Sequence, residues 1–365
     1  MRDDAKQAER LAVVRDLVLR HGWNSTCYQI LNPGLEHWVD SAGEGAVGFV
    51  RQPGYWVAAG APVCPVDRLA EVSRAFEAAA AAAGCHVCYV GAQDRMRAVC
   101  EWRPDHAVVA IGAQPVWDPR AWAAVAAGHR SIRTQLNRGR NKGVGVTAWD
   151  PERARADDRV RGCLREWLAC KPLPPMHFMV EPDVLDGVVC DRRVWVAERA
   201  GRVAGFAVAS PVPGRDGYLI EEIARAPWAP NGTAELLIDA CMRGLAEHGA
   251  LYATLGLVAL ASRAGPWAGR NPLWVRVLFG WARAHGRRFY NFDGLERFRE
   301  KLRPAGWEGV YAVSNRRPFP PAALWAMAGA FCAGSPVRML TTAVGKAVKQ
   351  ELCWASHPAD RGGTG

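Results

Sequence analysis

Apolar positions recur with a helical period over the first twenty residues. Ala8, Leu11, Val14 and Val18 share one face of a segment spanning 4–20, and Gly22 marks its stop. The pattern then changes to short continuous apolar runs. Residues 46–51 and 55–59 flank Gln52-Pro53-Gly54, which reads as a hairpin with a Pro-Gly turn. The alanine-rich stretch 67–83 predicts a helix, and 86–90 and 108–111 predict further strands. Residues 150–169 read as helical and charged, and they end at Lys171-Pro172-Leu173-Pro174-Pro175, where the boundary between two halves is expected.

The second half starts afresh. Residues 193–198 and 203–210 flank Ala200-Gly201-Arg202 as a hairpin, and 218–223 reads as a third strand. Asn231-Gly232-Thr233 opens a helix with Leu237, Cys241 and Leu245 on its inner face and Gly249 at its end. A strand is expected over 251–257. Asn271-Pro272 reads as a cap and first-turn proline, opening a helix with Trp274, Leu278 and Trp281 turned inward. Residues 288–292, 295–302 and 307–314 complete the series as strand, helix and strand. The fold class expected is α/β (α+β), with mixed, mostly antiparallel sheets flanked by helices. The order of the second half is that of the GNAT N-acyltransferase fold, and the first half shows a looser version, so two tandem GNAT-like domains are expected. Their bounds are 1–170, with a basic helix over 129–142, and 171–318. A tail, 319–365, sets Leu340, Val344, Val348 and Leu352 against Lys346 and Lys349, and its end reads as disordered.

Composition narrows the partners. The 365 residues fit two domains, and 46 bases against 36 acids give +10 and a pI near 9.2, an excess that attracts polyanions. The charged N-terminus leads into no apolar signal segment. The apolar stretch 322–333 would reach only about 18 Å as a helix. The expectation is a cytoplasmic protein that can sit peripherally on the inner membrane face. Eleven cysteines at irregular spacing read as free thiols. Cys85-His86-Val87-Cys88 lies in a strand-like run with no second pair, so no metal site and no cofactor are expected. The 16 tryptophans imply large cores or aromatic-lined clefts.

Several blocks carry a resemblance. They are Tyr28-Gln29-Ile30-Leu31, Trp56 to Pro62, Ile132-Arg133-Thr134-Gln135-Leu136-Asn137-Arg138, Leu255-Gly256-Leu257 and the run from Phe289 to Pro304 that contains Asp293 and Lys301. Together they resemble the soluble C-terminal domain of the phosphatidylglycerol lysyltransferase (multiple peptide resistance factor) family, from about residue 20 to 315. The resemblance implies tandem GNAT-like domains that move an aminoacyl group from aminoacyl-tRNA to phosphatidylglycerol. It also implies soluble relatives that acylate small amines, and Fem-type peptidoglycan aminoacyltransferases that share the architecture. It places Asp293, Leu255 and Gly256 at the substrate. The chain departs from the family in lacking the multi-span membrane half and in having Glu222-Ile223-Ala224-Arg225 for Asp-x-x-Arg. It also has Val258 to Arg263 where a proline and an acidic residue are usual, which puts lysine specificity in doubt.

The chemistry expected of the motifs follows from the donor. An aminoacyl ester is already activated, so positioning and oxyanion stabilisation supply most of the acceleration. Lys301 and Arg225 are the candidate cations for the oxyanion or the terminal tRNA phosphates. Glu222 is the candidate to hold the α-ammonium group or take a proton from the acceptor. The competing structural reading is a Glu222–Arg225 ion pair with Lys301 on a solvated face. Arg130, Arg133, Arg138, Arg140 and Lys142 occupy 130–142 without an acid. As a helix seated by Ile132 and Leu136, this segment presents Arg130, Arg133, Asn137 and Arg140 outward to tRNA, or simply to solvent. DNA is not an expected partner. A CoA-dependent N-acetyltransferase is a second reading, but its phosphate loop would fall on Ala229, Gly232 and Ala234, where Pro227 and Pro230 intrude. A non-catalytic tRNA- or membrane-binding module is a third.

Overall fold

The computed structural model describes residues 2–171, 175–261, 263, 266–285 and 291–332. The first half contains α1 (Arg2–His21), β1 (Glu36–Val39), β2 (Ala46–Gln52), β3 (Tyr55–Ala59), α2 (Leu69–Ala82), β4 (His86–Ala92), α3 (Asp94–Cys100) and β5 (Ala107–Trp117). It continues with α4 (Trp122–Gly128), α5 (Arg130–Asn141), β6 (Gly145–Trp149), α6 (Pro151–Ala156) and α7 (Asp158–Ala169). The second half contains β7 (Arg193–Arg199), β8 (Arg202–Val212), β9 (Gly217–Arg225), α8 (Thr233–Glu247), β10 (Tyr252–Thr254) and β11 (Val258–Ala259). It ends with α9 (Pro266–Arg270), α10 (Leu273–His285), α11 (Phe292–Lys301), β12 (Gly306–Ser314) and α12 (Pro321–Phe331).

All the described strands join one mixed sheet in the order β1-β2-β3-β4-β12-β5-β10-β9-β8-β7-β6, with β11 beside β5. The halves exchange strands. β12, late in the chain, lies between β4 and β5, while β6, from before residue 170, forms the far edge against β7. Alternation along the buried strands builds both faces. In β3, Tyr55, Val57 and Ala59 enter the core under α1 and α12, while Trp56 and Ala58 enter the core under α2 and α3. A third core gathers α5, α7 and α8 around β7, β8 and β9.

The expected hairpins and the helix from Thr233 match the structure, and three other expectations are corrected. The strand expected over 251–257 shrinks to Tyr252–Thr254. Phe292, expected to end a strand, opens α11, and residues 286–290 lie outside the described residues. Leu278 and Trp281 were expected inward on α10, yet Trp281 is 62% exposed and Leu278 is also exposed, while Val275 is buried. Asn271 spends its side chain elsewhere. It brackets the backbone of Ala110 in β5 with two 2.9 Å hydrogen bonds, so it anchors the start of α10 to the sheet. In the tail, α12 packs through Ala323, Ala326 and Ala330, and the basic segment 340–352 lies outside the described residues. Among the described residues no helix is long and apolar enough to cross a membrane.

Candidate functional site

Strand β9 carries the first group of expected residues. Its pairing with β8 is irregular between Val208 and Ala209, opposite Glu221, and Glu221 and Glu222 are consecutive acids at that irregularity. Glu221 is fully met: Arg192 Nε donates at 2.8 Å, Gln29 Nε2 at 2.7 Å, and the Ser210 hydroxyl donates as well. Glu222 is 6% exposed, and neither carboxylate oxygen has a hydrogen-bond partner among the described residues. Burial, then the charges of Glu221 and Asp183, push its carboxyl well above the usual carboxylate range, against the opposing pull of Arg192 and Lys171. Gln29 Oε1 is buried and unpartnered as well. A site with orphaned acceptors beside a buried acid is poised for a ligand that brings N–H donors or positive charge.

Arg225 does not join Glu222. The register from Glu222 to Arg225 is regular, so the two side chains point to opposite faces of β9, and the ion pair expected as the structural alternative is not formed. The Arg225 guanidinium instead reaches the Ala229 carbonyl and Asn231 Oδ1, both at 3.4 Å, in the loop before α8. That loop is pressed against α5. A Cβ at Gly232 (φ +98) would lie 2.4 Å from the Gln135 carbonyl oxygen and 2.9 Å from Gly139 N, so only glycine allows the approach. Helix α5 therefore covers the loop where a CoA pyrophosphate would bind.

On α5 itself, Ile132, Leu136 and Gly139 are buried, and Arg130, Arg133, Asn137, Arg138 and Arg140 are exposed, with exposed Lys142 just beyond the helix. Arg140 pairs with Asp239 at 3.2 Å. Among the described residues, Arg130, Arg133, Arg138 and Lys142 meet no carboxylate; Arg133 donates to the Ala127 carbonyl. Arg199 donates to the Lys142 carbonyl at 2.8 Å, and Arg202 lies 4.1 Å over the Trp228 ring, so the basic surface extends toward the Arg225 loop.

The third group is held together by α11. Arg283 ties Asp293 (2.7 Å) and Glu296 (2.8 Å) to the Leu260 carbonyl, and Arg299 donates to the Gly256 carbonyl. Leu255 is buried, Gly256 takes a left-handed φ of +71, and Lys301 is exposed at the end of the helix. Asp293, Leu255, Gly256 and Lys301 therefore share one region. No hydrogen bond or ion pair ties Lys301 to Glu222 or Arg225.

A further network was not visible in the sequence. Glu308, on β12, accepts from Arg215 Nη1 (2.8 Å), Gln93 Nε2 (3.0 Å), Gln114 Nε2 (3.1 Å) and the Tyr252 hydroxyl (3.4 Å). The Ser25 hydroxyl completes it by donating to Gln114 Oε1 at 2.8 Å. The exchanged strand β12 puts this network where β4, β5 and β10 come together. Its one signal in the sequence was polar side chains, Gln114 and Glu308, inside apolar strands.

These elements form a tandem acyltransferase fold built on one sheet. The C-terminal domain of a proposed lysylphosphatidylglycerol synthetase from Agrobacterium fabrum superposes with a TM-score of 0.74 at 21% identity, covering 89% of this chain and 97% of that one. L-PGS from Bacillus licheniformis gives 0.72 at 18% identity, covering 87% and 95%. FemX gives 0.51 at 10%, covering 87% and 97%. No curated protein sequence matches the chain. Residues 15–314 match the family described as phosphatidylglycerol lysyltransferase, C-terminal, and the chain belongs to that family.

Proposed function

We propose that the chain is an aminoacyltransferase that moves an aminoacyl group from aminoacyl-tRNA to phosphatidylglycerol. The observation that carries this reading is the family match across residues 15–314. The basic surface of α5, with four cations free of carboxylates among the described residues, fits a tRNA acceptor arm and makes binding salt-dependent. In the reaction the acceptor hydroxyl oxygen attacks the ester carbonyl carbon and loses its proton. The C–O bond to the terminal ribose breaks, and the ribose oxygen takes up a proton. Glu222 receives the α-ammonium group of the donor, whose charge and N–H groups satisfy its orphaned oxygens. Arg225 faces the terminal phosphates, and Lys301 stabilises the oxyanion. Asp293, Leu255 and Gly256 shape the substrate channel beside Lys301. The membrane contact this requires is peripheral.

The test is transfer from a panel of radiolabelled aminoacyl-tRNAs with and without phosphatidylglycerol vesicles. Label reaching the lipid from one tRNA is the expected result. Label passing only to a soluble amine selects a small-molecule acceptor, and consumption of acetyl-CoA with no tRNA deacylated overturns the reading. Lys301→Ala should lower turnover about 100-fold while thermal stability stays unchanged; unaltered turnover removes Lys301 from the site.

A further inference from the structure

A cavity of about 430 Å³ opens beside the Glu308 network, lined by Trp23, Gln93, Arg95, Arg97, Arg215 and Glu308 among others. Three guanidiniums border it, and two are neutralised. Arg215 is clamped to Glu308. Arg97 holds Asp94 at 2.9 Å and Glu101 at 2.6 Å. The third, Arg95, meets no carboxylate among the described residues. Its guanidinium carbon lies 4.2 Å over the Trp23 ring, and that of Arg215 lies 4.8 Å from the same ring. Burial and the like charge of Arg215 both work against the charge on Arg95, and its pKa is lowered accordingly. An unpaired, partly desolvated guanidinium next to a second one is a stress that a bound oxyanion removes, while each N–H of the fork gains an acceptor.

We propose that this cavity binds a phosphate ester, with Arg95 as the phosphate ligand and Trp23 as the wall that fixes it, and that its occupant is the phosphodiester headgroup of the lipid acceptor. The charge favours a single diester. The lining guanidiniums of Arg95, Arg97 and Arg215 face the lining carboxylates of Asp94 and Glu308, which leaves one positive charge. That matches one negative charge, whereas an RNA strand calls for several, and the unpaired cations suited to RNA stand on α5. The cavity is made by α3, the end of β4, β12 and the turn at Arg215, and shares no residue with α5. Glu308 and Gln93 of the buried network also line it, so a bound headgroup lies against polar groups that can orient its glycerol hydroxyls. The identity of the ligand rests on the transferase reading; the anion site does not.

Binding can be read without turnover, so the two ideas fail separately. The probes are glycerophosphoglycerol, inorganic phosphate and a CCA trinucleotide, titrated into the full chain and followed by calorimetry and by tryptophan fluorescence. Glycerophosphoglycerol should bind best, Arg95→Ala should weaken it at least about tenfold, and Arg95→Lys should restore part of the loss. Both variants should unfold at the wild-type temperature, since Arg95 holds no carboxylate. Inorganic phosphate binding as tightly, with the same dependence on Arg95, keeps the anion site and overturns the headgroup assignment. Equal affinity in wild type and Arg95→Ala overturns the site, as does dependence on Arg95 for the trinucleotide alone.

Discussion

Two carboxylates lie at the same depth in the two halves of the molecule. Glu77, in α2, is 7% exposed, and Glu222, in β9, is 6% exposed. Glu77 accepts from Arg103 Nη2 at 2.7 Å, from the Tyr89 hydroxyl at 3.1 Å, and it pairs with His106 Nε2 at 3.0 Å. Glu222 has no hydrogen-bond partner among the described residues. Burying a carboxyl group without hydrogen bonds is costly, so a fold does not keep one for its own stability. The first acid is satisfied by its own chain and is structural. The second lacks what a ligand would supply.

Removing each acid should therefore give opposite results. Glu77→Ala leaves Arg103 and His106 without their shared acceptor and should destabilise the protein by about 3–5 kcal/mol, read by chemical denaturation. A cost below about 1 kcal/mol would erase the contrast. Glu222→Gln keeps the shape and removes a group whose charge burial disfavours. Its stability should equal or exceed wild type at pH 8, while transfer falls about 100-fold from loss of donor positioning. Wild-type transfer by this variant would make Glu222 a tolerated defect rather than a binding group.

The contrast shows where sequence reasoning reaches and where it stops. The alternating run Tyr55–Ala59 and its Pro-Gly turn locate β3, and Ile132 and Leu136 seat α5, because local periodicity decides both. Strand β6 escaped notice because Gly145, Thr147 and Ala148 are exposed and give no apolar period. In α10 the apolar stripe was legible but its direction was not. Leu273 is 72% exposed, and Asn271, which pins the helix to Ala110, settles the orientation by a contact 161 residues distant. The same holds at Glu308, whose donor Gln93 lies 215 residues away. Glu222 was legible as chemistry, but its position on the face opposite Arg225 needed the pairing register.

The basic helix tests the comparison from outside the core. If the donor of Glu222 is a tRNA-borne amino acid, the unpaired cations of α5 should set its affinity. Arg130→Ala, Arg138→Ala and Lys142→Ala should each reduce the slope of log affinity against log salt by roughly one, weakening binding a few-fold without altering stability. Arg140, tied to Asp239, should contribute less. Equal slopes for wild type and all three variants would detach the helix from tRNA.

The smallest effect is also the most discriminating, because both acid sites make stability fall as pH rises, for opposite reasons. Burial lowers the pKa of His106, yet its hydrogen bonds to Glu77 and Asp105 raise it above 6.5 overall. The stabilisation from its charged form is complete below the unfolded value and is lost as pH climbs through the folded one. The Glu222 carboxyl is raised because burial disfavours its charge, so above the unfolded value near 4.5 the folded state retains a proton the unfolded state has shed, and stability again declines with pH. A neutral isostere separates the causes. Glu222→Gln should gain stability relative to wild type as pH rises from 5 to 8. His106→Gln should lose about 1 kcal/mol at pH 6 and converge on wild type toward pH 9, because it forfeits an attraction rather than a penalty. Thermal unfolding across that range reads both curves, and parallel shifts in the two variants would mean that the paired and the unpaired acid are not different in kind.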